Sequence, residues 1–236
     1  MAGFEILITA GGTSEKIDEV RRITNSGTGR LGALVAETFA AGCAECRVTY
    51  LCSASAVRPN ISALDVRVCD DVLTLKAAVE RVCAERRFDI VVHSMAVGDY
   101  LVREVRDASG DLLDPNGKIS SDLDRLVVTL EKAPKIISLL RGLAPDAAIV
   151  GFKLLSDASD EELVRVGLGL LTKNRCDYVL ANDMRTVRSD RHEGLLVAAD
   201  GTYERAVGKT DIAALIVRRA TALAGGRQDA APTNHL

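Results

Sequence analysis

The 236-residue sequence lacks several features that mark specialised classes of protein. It has no excess of basic residues, since 30 Lys and Arg face 33 Asp and Glu, and we therefore predict no nucleic-acid partner. Its longest apolar runs are too short to cross a bilayer, and no charged-then-apolar leader precedes the first predicted strand. These absences predict a cytoplasmic protein with no membrane partner. The 47% hydrophobic and 27% charged residues are typical of a globular α/β domain.

A repeated pattern of metal-binding residues is also missing. Cys43 and Cys46 have the spacing of half a metal site, but no second pair accompanies them, and the three histidines are scattered. The six cysteines are therefore predicted to be reduced and mostly buried thiols. We predict neither zinc nor structural disulfides, and no metal site built from protein side chains.

Strand and helix patterns alternate along most of the chain. Short apolar segments predict strands at residues 6–9, 48–52, 66–68, 90–92, 126–130, 148–152, 178–181 and 195–198. Amphipathic segments predict helices at residues 30–41, 71–86 (N-cap Asp70), 134–143, 160–173 and 211–224. This alternation predicts a Rossmann-like, doubly wound, mostly parallel sheet with helices on both faces. One domain is expected over residues 1–224, followed by a disordered tail at 225–236.

Two irregular regions, 10–29 and 94–125, each follow a predicted strand, where open α/β sheets bind ligands. The second contains a long loop or hairpin excursion near residues 100–125. The first reads TAGGTSEKIDEVRRITNSGTGRLG from Thr9 and contains five glycines. Glycines admit an anion close to the backbone, and the N–H groups of a helix start attract it, so a phosphate site is predicted.

The glycines alone do not identify the type of phosphate ligand. Gly27 to Gly32 matches G-x-G-x-x-G, the pattern of dinucleotide sites. However, about seventeen residues separate it from the first strand, and no acidic residue follows the second strand at 49–55. An NAD(P)- or flavin-dependent oxidoreductase therefore remains the alternative, and not the preferred interpretation.

Several segments in order resemble phosphopantothenate–cysteine ligase, or phosphopantothenoylcysteine synthetase, of coenzyme A biosynthesis. They are AGGTSEKIDEVRRITN with SGTGRLG, then HSMAVGDY, KISS, GFKLL, KN and AND. The resemblance runs from about residue 5 to about residue 222. HSMAV and KISS are similar to the stand-alone bacterial form, so we expect no fused flavin-dependent decarboxylase.

The resemblance implies a ligase that joins 4′-phosphopantothenate to L-cysteine through an acyl-nucleotide, releasing a nucleoside monophosphate and pyrophosphate. It implies CTP as co-substrate (ATP is the alternative), Mg²⁺ and a homodimer. No protein nucleophile is required, and the sequence offers no Ser-His-Asp or Cys-His arrangement. A non-catalytic nucleotide sensor is the alternative from another class.

The resemblance also assigns residues. Asn25 matches the residue that turns over the acyl-nucleotide, Arg21 an arginine near the acyl phosphate in its own or the partner subunit's site, and Lys118 a lysine that meets the nucleotide phosphates. The predicted nucleotide-binding residues are Met95, Ala96, Asp99, Lys118, Lys132, Pro134, Phe152 and Lys173. The predicted phosphopantothenate-binding residues are Gly11, Thr28, Gly29, Gly32, Phe152 and Asn182.

Two positions depart from the family pattern. Gly27 stands where a second hydroxyl residue is expected before Gly29, which removes one expected phosphate contact. Gly169 stands where a lysine is expected one turn before Lys173, which weakens the expected pair of charges at the nucleotide.

Overall fold

A computed structural model describes residues 3–62, 64–187 and 191–230. The strands are β1 (Glu5–Ala10), β2 (Ser14–Lys16), β3 (Arg22–Thr24), β4 (Arg47–Cys52), β5 (Leu64–Val68), β6 (Ile90–His93), β7 (Tyr100–Arg106), β8 (Val127–Lys132), β9 (Ala148–Leu155), β10 (Tyr178–Asp183), β11 (Glu193–Ala198) and β12 (Tyr203–Val207). The helices are α1 (Arg30–Gly42), α2 (Val72–Glu85), α3 (Ile136–Leu143), α4 (Asp160–Asn174), α5 (Met184–Val187) and α6 (Lys209–Ala230).

Eight strands form one sheet in the order β12-β11-β10-β9-β6-β1-β4-β5. The pairings from β5 to β10 are parallel, and β11 and β12 extend one edge by antiparallel pairing. The predicted fold class is thereby confirmed. From β1, the chain builds outwards to β4 on one side and to β6 on the other. The crevice beyond the carboxyl ends of β1 and β6 is therefore the switch point at which such sheets bind ligands.

Helices cover both faces of the sheet and bury its central strands, β1 and β6, almost completely. On one face, α1 and α6 pack Val35, Phe39 and Ile216 against β-strand residues such as Ile6 and Ile8. On the opposite face, α2, α3 and α4 enclose a second cluster that includes Leu7, Val91, Leu75 and Leu140. Because both faces of β1 and β6 are covered, these strands read as continuous apolar runs and not as an alternating pattern.

Two small antiparallel hairpins stand apart from the main sheet. The predicted excursion near 100–125 is confirmed as the β7–β8 hairpin, with residues 107–126 between its strands. The segment 10–29 contains the β2–β3 hairpin, which the sequence did not predict. Its strands are three residues long and partly polar, so they carry no alternating apolar signal.

Two further expectations about local structure were wrong. The N-cap of α2 is Asp71, which accepts a hydrogen bond from Thr74 N, whereas Asp70 accepts one from Ala54 N. Cys43 and Cys46 form a disulfide with a Cα–Cα distance of 5.4 Å, although no disulfide was predicted. The turn between α1 and β4 brings the two residues together, and sequence spacing alone cannot distinguish that arrangement from two free thiols.

The predicted tail was wrong for residues 225–230, because α6 continues to Ala230. The segment lacks apolar periodicity, but Arg227 Nη2 donates to Asp177 Oδ1 at 2.6 Å and fixes the end of the helix. Residues 231–236 lie outside the described residues. No helix in the described ranges is long and apolar enough to span a membrane.

Candidate active site

The loops that follow β1 and β6 lie side by side at the switch point. Ala96 N donates to Gly11 O at 2.9 Å, and Thr13 N donates to Ala96 O at 3.0 Å. Gly98 N donates to Thr13 Oγ1 at 2.8 Å. The two glycine- and alanine-containing loops thus form one rigid platform beyond the sheet.

Beneath this platform, a buried polar pair joins β1 to β6. Thr9 Oγ1 and His93 Nδ1 are 2.8 Å apart, and Thr9 Oγ1 also accepts a hydrogen bond from Met95 N. Burial lowers the pKa of His93 to about 4, so the imidazole is neutral near pH 7. His93 therefore supports the loop that carries Met95 and Ala96 without placing a charge under it.

A cavity of about 250 Å³ opens beside the platform. It contains two of the predicted site residues, Asn25 and Asp99; its full lining is Thr13, Glu15, Ile23, Asn25, Val97, Gly98, Asp99, Tyr100 and Leu130. Asn25 follows β3, its backbone N–H donates to Thr13 O at 3.0 Å, and its amide Nδ2 donates to Ala96 O at 3.4 Å. The Asn25 amide is therefore oriented towards the Ala96 loop.

Glu15, on β2, also lines this cavity and was missed in the sequence. Its pKa is raised because burial penalises the carboxylate, although the hydrogen bond from Val72 N opposes that effect. A lone acidic residue in a short polar strand gave no pattern from which a site position could be predicted.

The start of α1 forms a second feature, which we call the α1 cradle (residues 27–32). Gly29 is the N-cap with φ 73° and has no capping side chain, and Arg30 N donates to Thr28 Oγ1 at 3.4 Å. Leu31 and Gly32 belong to the first turn, whose N–H groups have no partner within a helix, and Gly32 lies against Ala10 and Ser94. A helix start without an N-cap side chain, next to the Thr28 hydroxyl, is suited to a phosphate.

Gly27 is explained by the backbone that surrounds it. A Cβ at this position would lie 2.2 Å from Gly11 O and 3.2 Å from Ala96 Cβ. The structure therefore excludes a side chain where the resemblance suggested a hydroxyl residue. The close approach of residue 27 to the Gly11 loop brings the α1 cradle and the Asn25 cavity next to each other.

Arg21 and Lys118 lie on two segments that contact each other. Arg21 is in the turn between β2 and β3, and Lys118 is an exposed residue of the β7–β8 loop. Arg21 Nη1 donates to Ile119 O at 3.2 Å, next to Lys118 in the chain. A buried carboxylate that the sequence analysis did not identify, Asp18, joins the same two segments.

The turn that follows β8 is hydrogen-bonded to Asp99. Ala133 N donates to Asp99 O at 2.9 Å, which places the predicted residues Lys132 and Pro134 on either side of that contact. Lys135, which was not predicted, forms an ion pair with the Asp99 carboxylate. A lysine one residue beyond Pro134 resembles any exposed helix-start lysine, so only the fold reveals its position.

Three other predicted residues lie away from the cavity. Phe152 packs on the face that α1 covers, and Asn182 Nδ2 is 2.9 Å from His192 Nε2 at the end of β10 on the same face. Both are thus on the side of the α1 cradle. Lys173 is in the last turn of α4, two residues before Arg175.

Arg175 lines a different cavity of about 880 Å³ with Asp89, Asp146 and Asp177. These acidic residues border the amino ends of β6, β9 and β10, at the opposite edge of the sheet from Asn25. The structure therefore does not bring Lys173 to the cavity of Asn25. Within the described ranges, no group of three or more His, Cys, Asp or Glu residues could hold a metal ion.

Comparison with known proteins identifies the class to which this fold and site belong. The chain belongs to the family "DNA/pantothenate metabolism flavoprotein C-terminal domain", whose model matches residues 1–223. This match confirms the resemblance that the sequence motifs indicated.

Particular relatives support the same assignment. The chain is 32% identical over 201 residues to the coenzyme A biosynthesis bifunctional protein CoaBC of Thermococcus kodakarensis, covering 85% of this chain and 46% of the relative. It is 30% identical to the CoaBC protein of Methanocaldococcus jannaschii, covering 77% and 41%. The chain thus spans less than half the length of these relatives.

A solved structure is similar over nearly its whole length. The DNA/pantothenate metabolism flavoprotein of Streptococcus pneumoniae superposes with a TM-score of 0.82 and 32% identity. The alignment covers 93% of this chain and 99% of that one.

Proposed function

We propose that this chain is a phosphopantothenate–cysteine ligase that forms 4′-phosphopantothenoyl-L-cysteine through an acyl-nucleotide, with CTP as the preferred co-substrate. The observation that best supports this proposal is the close contact of Gly27 with the Gly11 loop. This contact places the start of α1, which has no N-cap side chain, beside the Asn25 cavity. A helix start that is suited to a phosphate, next to a polar cavity, is consistent with a reaction between two phosphate-bearing substrates. The relatives named for coenzyme A biosynthesis support a role in that pathway.

In the first step, a carboxylate oxygen of phosphopantothenate attacks the α-phosphorus of the triphosphate, and pyrophosphate leaves. Several anions must meet, so the site must supply positive charge and N–H donors in advance. Lys135 pairs with the cavity residue Asp99, and Arg21 and Lys118 lie on two loops of the neighbouring hairpins that contact each other. The first-turn N–H groups of α1 supply donors without a net side-chain charge.

In the second step, the cysteine amine attacks the acyl carbon, and the nucleoside monophosphate leaves as the amide bond forms. Asn25 is the polar amide of the cavity, held between Thr13 O and Ala96 O. We propose that its N–H₂ group stabilises the oxyanion that develops at the acyl carbon. No covalent enzyme intermediate is required.

Mg²⁺ would accompany the triphosphate and neutralise part of its charge. The described residues supply no cluster of three ligating side chains, and Mg²⁺ commonly retains waters and binds phosphate oxygens. The residues present therefore suit a metal carried by the nucleotide, with Glu15 and Asp99 as the carboxylates of the cavity.

We further propose a homodimer. Six large apolar side chains of the two hairpins are exposed by 43–66%: Val20, Ile23, Tyr100, Leu112, Val127 and Leu130. Exposed apolar groups gathered near a site are typical of a surface that a partner covers. Light scattering should give twice the monomer mass, and a monomer at working concentration would contradict this part of the proposal.

The direct test incubates the protein with phosphopantothenate, cysteine, Mg²⁺ and either CTP or ATP. Amide product with stoichiometric CMP is expected, and a faster reaction with ATP would reverse the assigned preference. Asn25→Ala should accumulate acyl-nucleotide or lose product, while Asn116→Ala, at an exposed loop position, should behave like the wild type. Binding of substrates without pyrophosphate release would instead favour a sensor, and NADPH-specific thermal stabilisation an oxidoreductase.

The arrangement of the two substrates needs a separate test. We propose that the α1 cradle, with Gly11, Thr28, Gly29 and Gly32, binds the phosphate of phosphopantothenate. The Met95–Asp99 loop and Lys118 would bind the triphosphate, with Lys132 and Pro134 nearby. Thr28→Val should then raise the KM for phosphopantothenate, and Lys118→Met the KM for the triphosphate; the opposite pattern would exchange the two assignments.

A further inference from the structure

Asp18 is a buried carboxylate in a region that is otherwise largely exposed. Its side chain is 0% exposed, between Ile17 and Glu19 in the turn from β2 to β3. Asp18 Oδ1 accepts hydrogen bonds from Val20 N at 2.8 Å and Arg21 N at 2.5 Å. One carboxylate oxygen therefore shapes the turn that carries Arg21.

The second oxygen connects that turn to the loop that carries Lys118. Asp18 Oδ2 accepts from Arg21 Nη1 at 2.6 Å and from Ile119 N at 3.2 Å. Arg21 Nη1 also donates to Ile119 O at 3.2 Å, and Glu19 N donates to Gly117 O at 3.4 Å. Lys118 is thus flanked on both sides by residues bound to the 18–21 turn.

The rest of the β7–β8 loop has no comparable attachment. Across the described part of the chain, the other hydrogen bonds of residues 107–126 stay within their own hairpin. Ile119 is 6% exposed, whereas Lys118 and Ser120 beside it are exposed. The contact at Asp18 and Ile119 therefore determines where Lys118 stands relative to the site.

The charge of Asp18 makes this contact independent of ordinary changes in pH. Burial alone would raise the pKa of Asp18, but the N–H groups of Arg21, Val20 and Ile119 and the Arg21 charge hold it at about 2.

Arg21 uses only Nη1 in these bonds, and within the described structure its Nε and Nη2 groups donate to no protein acceptor. Its guanidinium can still donate to an anion.

We propose that Asp18 is a positioning residue that locks the 18–21 turn to residues 117–119, so that Arg21 and Lys118 approach the reacting phosphates as a pair. The inference rests on the proposed function in so far as these two cations contact substrate. The lock itself is a property of the fold and can be measured without substrate.

Asp18→Asn removes the lock with almost no change of volume. The Asn side chain has one acceptor oxygen and one NH₂ group in place of two acceptor oxygens. In either orientation, its NH₂ group faces two donors, so one pair of hydrogen bonds is lost. Asp122→Asn is the matched control, because Asp122 lies in the same loop and bonds locally with Ser120.

Trypsin cleavage after Lys118 and deuterium exchange at Ile119 N–H measure the lock directly. Asp18→Asn should accelerate both by at least about tenfold, the loss expected when a hydrogen bond to a charged group is broken, whereas Asp122→Asn should not. Unchanged rates in Asp18→Asn would overturn the proposal. If Asp18→Asn unfolds, Arg21→Gln provides the second measurement, since it removes the hydrogen bonds from Nη1 but keeps Ile119 N bonded to Asp18. Arg21→Gln should accelerate cleavage and exchange by a smaller factor. Unchanged rates in Arg21→Gln would also overturn the proposal.

Kinetics then tests positioning against a general structural role. Asp18→Asn should raise the KM for the triphosphate, or lower kcat, by about tenfold or more with the KM for cysteine unchanged. In a Lys118→Met background the same substitution should have a smaller effect than in the wild type, since only Arg21 then remains to be positioned. Fully multiplicative effects would refute coupling through Lys118. Absence of ligase activity in the wild type would refute the proposed function alone, because the trypsin and exchange results stand separately.

Discussion

Replacing Gly27 with serine tests the close packing that connects the α1 cradle to the Asn25 cavity. The substitution supplies the hydroxyl that the family resemblance led us to expect at this position. Its Cβ would lie 2.2 Å from Gly11 O, about 1.1 Å short of a close carbon–oxygen contact of roughly 3.3 Å. The obstruction is backbone, so it cannot be relieved by a change of rotamer.

The expected cost follows from that displacement. Forcing an extra group into a packed site costs about 1–3 kcal/mol, which corresponds to a fall in Tm of roughly 2–12 °C for a chain of this size. The Gly11 loop that must move is hydrogen-bonded to Ala96, which accepts from Asn25. Because a shift of about 1 Å can reduce turnover up to about 100-fold, we expect the Gly27→Ser variant to lose at least about tenfold in kcat/KM.

Thermal unfolding and ligase assays on the same preparation measure both effects. Gly169→Ala is the control, since a Cβ there meets nothing within 4 Å and lies inside α4, where alanine should add about 0.5–1 kcal/mol. If Gly27→Ser instead keeps the wild-type Tm and binds phosphopantothenate more tightly, the close approach of residues 11 and 27 does not exist in solution. The predicted steric exclusion of a side chain at residue 27 is then refuted.

Two stability predictions concern other buried groups. Burial holds the pKa of His93 at about 4, whereas the unfolded chain titrates this residue at about 6.5. His93 should therefore lower the free energy of unfolding by about 1.4 kcal/mol for each pH unit from 6.5 to 4, in addition to the contribution of His192, whose pKa burial also lowers to about 4. Urea titrations should show a slope that is smaller in His93→Gln by this amount, and an identical slope in that variant would contradict it. Asp177→Asn should cost about 3 kcal/mol and expose the end of α6 to deuterium exchange, because Asp177 pairs with Arg141 and Arg227. Asp229→Asn, on an exposed position of the same helix, should change neither.

The close approach of Gly27 to the Gly11 loop and the contact between Asp18 and Ile119 were not predicted from the sequence, for the same reason. Each depends on groups far apart in the chain: Asp18 and Ile119 are 101 residues apart, and Gly27 is fitted against Gly11 and Ala96. Sequence patterns report neighbours three or four residues away in a helix and two away in a strand. Contacts between separate loops leave no such periodicity.

By itself, the sequence was sufficient to predict the alternation of strands and helices and the parallel sheet, whereas the glycine-rich segment as a ligand site stays a prediction. Those features depend on local apolar periodicity and on backbone freedom, both of which can be read from consecutive residues. Only the tertiary structure decided that Gly27 must lack a side chain, that Lys173 lies towards the edge opposite Asn25, and that the glycine pair at 225–226 does not end α6. In each case the tertiary structure determines the outcome. The Gly11 carbonyl excludes a side chain at residue 27, the direction in which α4 crosses the sheet places Lys173, and the Asp177 carboxylate binds the end of α6.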